Sequence, residues 1–197
     1  MHPPSGRALT ICHINIIRKE RIMKCIVAVD NHWGIGRRNQ LLVSIPADMR
    51  FFRTETSGKT VIMGRTTLES FPGGMPLKNR RNIVITRDPN YRVPGAEIVH
   101  SVEDAIDAAL QDGTENVYVI GGASIYRQLL PYCDTAYVTK IDYRYDADTF
   151  FPDLDSDPMW ECVEESEEQT YYDIVYSFTR YERRNPDADD VSADSAE

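Results

Sequence analysis

Short apolar runs along the chain alternate with segments whose apolar residues recur at helical spacing. Residues 26–30, 60–63, 82–86, Glu97–Val99, 116–120 and 135–141 read as strands. Several are uninterrupted apolar stretches of the kind buried on both faces of a sheet. Pro46–Thr56 reads as a helix, because proline is favoured in a first helical turn and Ser44 stands just before it. A short helix near 66–70 is broken by Pro72-Gly73-Gly74. Ser101, with Asp104 in the capping-box position, opens another helix, and residues 122–130 make a fourth. Residues 31–43, containing Gly34 and Gly36, predict one long loop. Residues 160–166 and 171–181, rich in aromatic and β-branched side chains, predict a closing hairpin. Repeated strand–helix–strand units predict a single α/β domain. Its mostly parallel, twisted sheet has about eight strands with an antiparallel C-terminal strand, flanked by about four helices.

The two ends of the chain do not fit this pattern. Residues 1–22 carry Arg7, Arg18, Lys19 and Arg21 against the single acid Glu20, and the apolar run Cys25-Ile26-Val27-Ala28-Val29 begins only after Met23-Lys24. His13 and Asn15 interrupt the stretch 8–17, which also lacks a small-residue cleavage site, so a secretory signal is a poor reading. The preferred reading is a disordered extension, or a true start at Met23; an organellar transit peptide is the alternative. Residues 185–197 hold five acids and no base, with almost nothing to bury, and are expected to be disordered. The expected domain is therefore 23–184.

Composition narrows the function classes. With 197 residues, 42% hydrophobic and 27% charged, the chain has an ordinary globular balance. It contains no apolar run of the roughly 18–20 residues a membrane helix needs. The formal charge of −9 has the wrong sign for tracking a nucleic-acid backbone; without the acidic tail it is −4, which leaves room for a local basic pocket that takes a small phosphorylated ligand. Cys12, Cys25, Cys133 and Cys162 and the four histidines show no zinc or redox spacing, so no metal site is expected and the cytosol is the default compartment.

Three motifs carry candidate chemistry. In Ile45-Pro46-Ala47-Asp48-Met49, Asp48 lies near a helix start with Phe52 at i+4. It is either a solvated first-turn acid or a carboxylate set in an apolar pocket, where burial would raise its pKa and an amidine-like heterocycle edge would match it bidentately. Val119-Ile120-Gly121-Gly122-Ala123-Ser124 runs from strand through two glycines into a helix. It is either a tight turn or a phosphate cradle, and it is not the spaced three-glycine dinucleotide fingerprint. Val61-Ile62-Met63-Gly64-Arg65-Thr66-Thr67 repeats the arrangement, as a capped helix with an exposed arginine or as a second cradle.

Taken in order over residues 23–182, these motifs resemble dihydrofolate reductase of the bacterial, NADPH-dependent type. The resemblance also rests on Ala28, Gly34-Ile35-Gly36, Arg80-Arg81-Asn82, Tyr126, Thr139 and Asp148-Thr149-Phe150-Phe151-Pro152. It implies that Asp48 binds the 2-amino and N3 edge of the pterin with Thr139 bridging to it, the two forming the catalytic pair. Ile26 and Ile120 would offer backbone carbonyls, Val27 would line the same pocket, Phe52 would pack on the rings, and Arg80 rather than Arg81 would hold the folate-tail carboxylate. For NADPH it implies Ala28, Ile35 and Gly36 from the loop side, Gly64, Arg65, Thr66 and Thr67 from one cradle, and Gly121, Gly122, Ala123, Ser124, Ile125 and Tyr126 from the other. Thr86 and Arg87 would stand by the 2′-phosphate, with Arg65 and Arg87 making NADPH preferred over NADH. The bond between the two glycines is typically cis in this family. Hydride would pass to C6 of dihydrofolate while N5 gains a proton from a water under the 34–44 loop, with Asp48 orienting the pterin. The implied partners are dihydrofolate and diaminopyrimidine-type antifolates, and the implied state is a cytoplasmic monomer.

One departure is visible. Where the family carries a Pro-Trp pair before the Asp helix, this chain has Leu42-Val43, which bears on loop closure and proton supply. Trp33 reads as a loop or core aromatic rather than a replacement ring. Two competing readings are a sibling pyrimidine reductase on the same scaffold and a non-catalytic pterin- or nucleotide-binding protein. The first must account for Asp48 with Thr139; the second, for retained cradle glycines.

Overall fold

The computed structural model describes residues 23–111 and 116–184. The expectations for residues 1–22 and 185–197 lie outside the described residues. The main sheet has the strand order β10-β12-β8-β1-β7-β4-β5-β6, with β11 attached to β12. Its centre is parallel: β1 (Met23–Val29) lies between β7 (Val117–Gly121) and β8 (Cys133–Ile141), and β7 in turn borders β4 (Thr60–Gly64), followed by β5 (Arg81–Ile85) and β6 (Glu97–Val99). β12 (Ile174–Arg183) joins β8 antiparallel and pairs outward with β10 (Trp160–Glu165).

Alternation along these strands sorts the core into two faces. Cys25, Val27, Ile62, Ile83 and Val119 face α3 (Val102–Leu110) and α4 (Ala123–Leu129). Ile26, Val61, Met63, Val84 and Ile120 face α1 (Pro46–Thr56) and α2 (Arg65–Ser70). Proline stands in the first turn of α1 as expected, and the Ser101 hydroxyl accepts the Asp104 N–H at 3.0 Å to open α3.

Two expectations are corrected. Residues 31–43 are not one loop. β2 (Gly34–Arg37) and β3 (Gln40–Leu41) form a hairpin, and β2 pairs with β9 (Thr149–Phe150) to make a second, three-stranded sheet. The turn residues Arg38 and Asn39 both have positive φ, 49° and 60°, the conformation a two-residue hairpin turn needs; Arg-Asn does not advertise it as Asn-Gly does. Likewise the strand expected at 171–181 is split: β11 (Gln169–Tyr171) turns through Tyr172, φ 51°, before β12 starts at Ile174. Trp33 is a core aromatic, buried and stacked on Phe151 with ring centroids 6.2 Å apart.

Candidate active site

A cleft of about 400 Å³ opens at the carboxyl ends of the parallel strands, where open α/β sheets generally take their ligands. Its walls are mostly apolar. Ile26, Val27 and Ala28 of β1, Ile120 of β7, and Met49 and Phe52 of α1 line one part. Ile35, Gly36, Leu41, Gly121, Gly122 and Tyr126 line another.

One carboxylate, Asp48, faces this apolar space. Helix α1 places it on the cleft side one turn before Phe52, so the two share a face. The Thr139 hydroxyl, buried on β8, donates to Asp48 Oδ1 at 2.6 Å. Burial pushes the Asp48 carboxyl above its ordinary value, and the bond from Thr139 pulls it part of the way back. The apolar-pocket reading of Asp48 therefore holds over the solvated one. Next to it, the buried Tyr126 hydroxyl donates to the Ile26 carbonyl at 2.7 Å, and burial keeps that phenol protonated well beyond its usual range. A carbonyl oxygen has two acceptor sites, so an amino group arriving at Ile26 meets an acceptor the tyrosine has already oriented.

At the cleft mouth the Arg80 guanidinium lies 5.8 Å from the Phe52 ring centroid and donates to the Thr56 hydroxyl at 2.8 Å and the Lys78 carbonyl at 3.1 Å. Its pKa is lowered, first by burial and then by the neighbouring Arg53, so two cations share this rim. Arg81 pairs instead with Glu97 at 2.6 Å and with the Ala108 carbonyl at 2.9 Å. Arg80, in the bend before β5, thus reaches Phe52 and Thr56 of α1, whereas Arg81, the first residue of β5, turns to Glu97 and Ala108.

The two glycine motifs converge. Gly64 ends β4 and begins α2, and Gly122 follows β7 and begins α4; neither helix has a side-chain cap. A Cβ on Gly122 would stand 3.2 Å from Thr67 Oγ1, and one on Gly64 would stand 3.1 Å from Ile125 Cγ1. A side chain at either position would crowd its neighbour, and glycine leaves room for this close approach. The Gly121–Gly122 peptide is cis, as the family resemblance implies. Ile125 and Tyr126 spend their N–H groups on the Gly122 carbonyl, at 2.9 Å each, and the Ile125 side chain is buried. Ala123 and Ser124, in the first turn, are the residues whose N–H groups a helix leaves without intrahelical acceptors. Uncapped helix starts, backbone made accessible by glycine and the Thr67 hydroxyl stand together here, an arrangement with the shape and donors a pyrophosphate would need.

Arg65 lies 3.8 Å from both Glu69 and Asp88 and 5.7 Å from the Tyr91 ring centroid, which holds its guanidinium at the edge of this cradle. Thr86 is buried, while Arg87 is exposed on the loop after β5. The sequence reading missed the contributions of Asn39, Gln40, Leu41 and Thr149 to the cleft, because the hairpin and β9 that carry them were not foreseen. It also missed Met49, Ser70, Phe71 and Pro72. Among the described residues no cluster of three or more His, Cys, Asp or Glu side chains is arranged to hold a metal ion, and no helix is long and apolar enough to cross a membrane.

A family model described as Dihydrofolate reductase matches residues 22–183. The chain is 40% identical over 164 residues to the dihydrofolate reductase of Bacillus subtilis, covering 81% of this chain and 94% of the relative. It is 40% identical over 157 residues to that of Neisseria gonorrhoeae, covering 79% and 94%. A solved structure of dihydrofolate reductase from Enterococcus faecalis, complexed with NADP(H) and RAB-propyl, matches with a TM-score of 0.74 at 34% identity, over 84% of this chain and 98% of that one. A carboxylate in an apolar cleft beside two converging glycine motifs thus occurs here in a chain that belongs to the dihydrofolate reductase family.

Proposed function

We propose that the protein catalyses the NADPH-dependent reduction of 7,8-dihydrofolate to 5,6,7,8-tetrahydrofolate, serving one-carbon and thymidylate metabolism. The observation that carries this reading is Asp48, a carboxylate in an apolar cleft with a single hydroxyl donor. Such a group has acceptor capacity to spare on the side where a ligand arrives, and a pterin edge with adjacent N–H groups matches it bidentately.

In this reading Asp48 and Thr139 fix the pterin orientation, with Thr139 favouring the ionised carboxylate. The Ile26 and Ile120 carbonyls and Val27 complete that wall, and Phe52 packs on the rings. Arg80, held by Thr56, takes the folate-tail carboxylate. NADPH, when bound, supplies the hydride. Ala28, Ile35 and Gly36 flank its nicotinamide end; Gly64, Thr66, Thr67, Gly121, Gly122, Ala123 and Ser124 cradle its phosphates; Arg65, Thr86 and Arg87 serve the 2′-phosphate. The proton for N5 arrives by water under the β2–β3 hairpin, while Asp48 orients and polarises rather than donating. Every group needed comes from one chain, which supports action as a monomer, and the cytoplasm is the compartment proposed for it; size-exclusion chromatography with light scattering and cell fractionation test those two points.

The functional test follows loss of reduced-nicotinamide absorbance with dihydrofolate, using NADPH and NADH in parallel. Rapid, NADPH-selective oxidation is the expected result. Protein that binds NADPH yet does not oxidise it in the presence of dihydrofolate overturns the reading.

A further inference from the structure

Asp30, at the end of β1, is 3% exposed although it is a carboxylate. Three backbone N–H groups converge on it. Oδ1 accepts from His32 and Gly34 at 2.9 and 2.8 Å, and Oδ2 accepts from Tyr145 at 2.9 Å. The first two belong to the turn that launches β2, while Tyr145 lies in the segment that leads to β9. The carboxylate therefore joins two stretches of chain more than a hundred residues apart, one through each oxygen.

Both stretches go on to the cleft. The β2–β3 hairpin contributes Ile35, Gly36 and Leu41 to its lining, and β9 contributes Thr149. Further out, Asp148 N–H donates to the Gly36 carbonyl at 3.1 Å, and Asp148 Oδ2 accepts the Arg38 N–H at 2.9 Å. At the tip, the Asn39 amide donates to the Thr66 carbonyl in the first turn of α2 at 2.9 Å. The hairpin is thus fixed at its tip against the glycine cradle and at its root by Asp30. The seam at the root is tight: a Cβ on Gly34 would stand 2.6 Å from Ala147 Cβ and 2.9 Å from Asp30 Oδ1.

We infer that Asp30 is a positioning residue for cofactor binding. It fixes the β2–β3 hairpin to the 143–149 segment, so that the hairpin side of the cleft is already formed when NADPH arrives. It touches neither ligand, and the inference rests on the NADPH reading above. None of the junction's hydrogen bonds reaches Asp48, Thr139 or Phe52 on the pterin side.

Asp30→Asn separates the two halves of the junction. The amide oxygen in the Oδ1 position keeps the turn to His32 and Gly34, whereas the –NH2 then faces the Tyr145 N–H, donor against donor. Dissociation constants of NADPH and dihydrofolate, each measured alone by quenching of protein fluorescence, provide the test. KM values for both substrates are read alongside, because neither quantity scales with the amount of folded protein. The expected result is an NADPH constant raised about tenfold with that for dihydrofolate within about twofold. A merely structural role would lower Tm and leave the ratio of the two constants unchanged. If Asp30→Asn does not fold, Gly34→Ala, which wedges the same seam with the carboxylate retained, is expected to show the same selective loss. Constants that move together, or not at all, overturn the inference. Wild-type protein that fails to bind NADPH overturns the functional reading itself.

Discussion

Two aspartates lie close to the cleft, Asp30 buried beside it and Asp48 half-buried in its wall, and their surroundings differ. Asp30 is met by three peptide N–H groups on its two oxygens, which ties separate parts of the chain together. Asp48 has one hydroxyl donor and otherwise apolar neighbours, and its pKa is raised in consequence. A carboxylate whose two oxygens are met by backbone donors has its hydrogen-bonding capacity taken up by the fold. One left with spare acceptor capacity is a cost to the fold that a ligand can offset, and this marks it as a binding group. Burial separates the two only in degree; counting donors shows what each is for.

The largest expected effect that would break this contrast comes from Asp48→Asn. We expect turnover at neutral pH to fall by about 100-fold or more while NADPH binds normally, measured by steady-state kinetics and fluorescence quenching. The same substitution reports on stability. Because the folded-state pKa of Asp48 lies above its unfolded value, its favourable contribution is fully present below the unfolded pKa and is lost as pH rises through the folded one. Asp48→Asn is therefore expected to raise Tm at pH 7, with the gain shrinking as pH falls, in thermal melts across pH. Next in size is Thr139→Val, which removes a bond to a charged acceptor. Turnover falls roughly tenfold, and the Asp48 ionisation midpoint moves to higher pH, followed by carboxyl NMR. Arg80→Gln should raise KM for dihydrofolate by about tenfold with little change in KM for NADPH, because the proposed role of this cation beside Phe52 is to hold the folate tail. The smallest effect is expected at Asp88, which shares Arg65 with Glu69 at 3.8 Å and whose Oδ1 is held by the Asn90 N–H at 2.9 Å. Since Arg65 and Asp88 are each roughly 40% exposed, the pairing is weak and screened. Asp88→Asn should raise the preference for NADPH over NADH by about threefold in kcat/KM ratios.

The parallel centre of the fold was legible because it is encoded in consecutive residues. Val61-Ile62-Met63, Ile83-Val84 and Val117-Tyr118-Val119 are fully or almost fully buried, as runs with no polar alternation require. The Ser101 cap was legible for the same reason, its donor lying three residues away. The hairpin was not. β2 and β3 are four and two residues long, and β2 is held across the chain by Asp148 and β9, partners more than a hundred residues away that no local pattern discloses. The site followed the same division. Asp48 and the glycine pairs stood out as residue types, but two readings of each remained open. What bears on them is long-range: Thr139, 91 residues from Asp48, bonds to its carboxylate, and Thr67, from the other strand–helix unit, stands against Gly122. Asp30, whose partners are all backbone groups, gave no signal in the sequence beyond being one more acid next to a turn.

The central claim is that the open carboxylate acts on the substrate and the saturated one acts on the scaffold. The most direct test measures kcat and both dissociation constants for Asp48→Asn and Asp30→Asn side by side with the wild type. The account predicts opposite patterns. Asp48→Asn loses turnover with NADPH affinity intact, and Asp30→Asn loses NADPH affinity with dihydrofolate affinity intact. Full turnover in Asp48→Asn, or the same pattern from both substitutions, would contradict it.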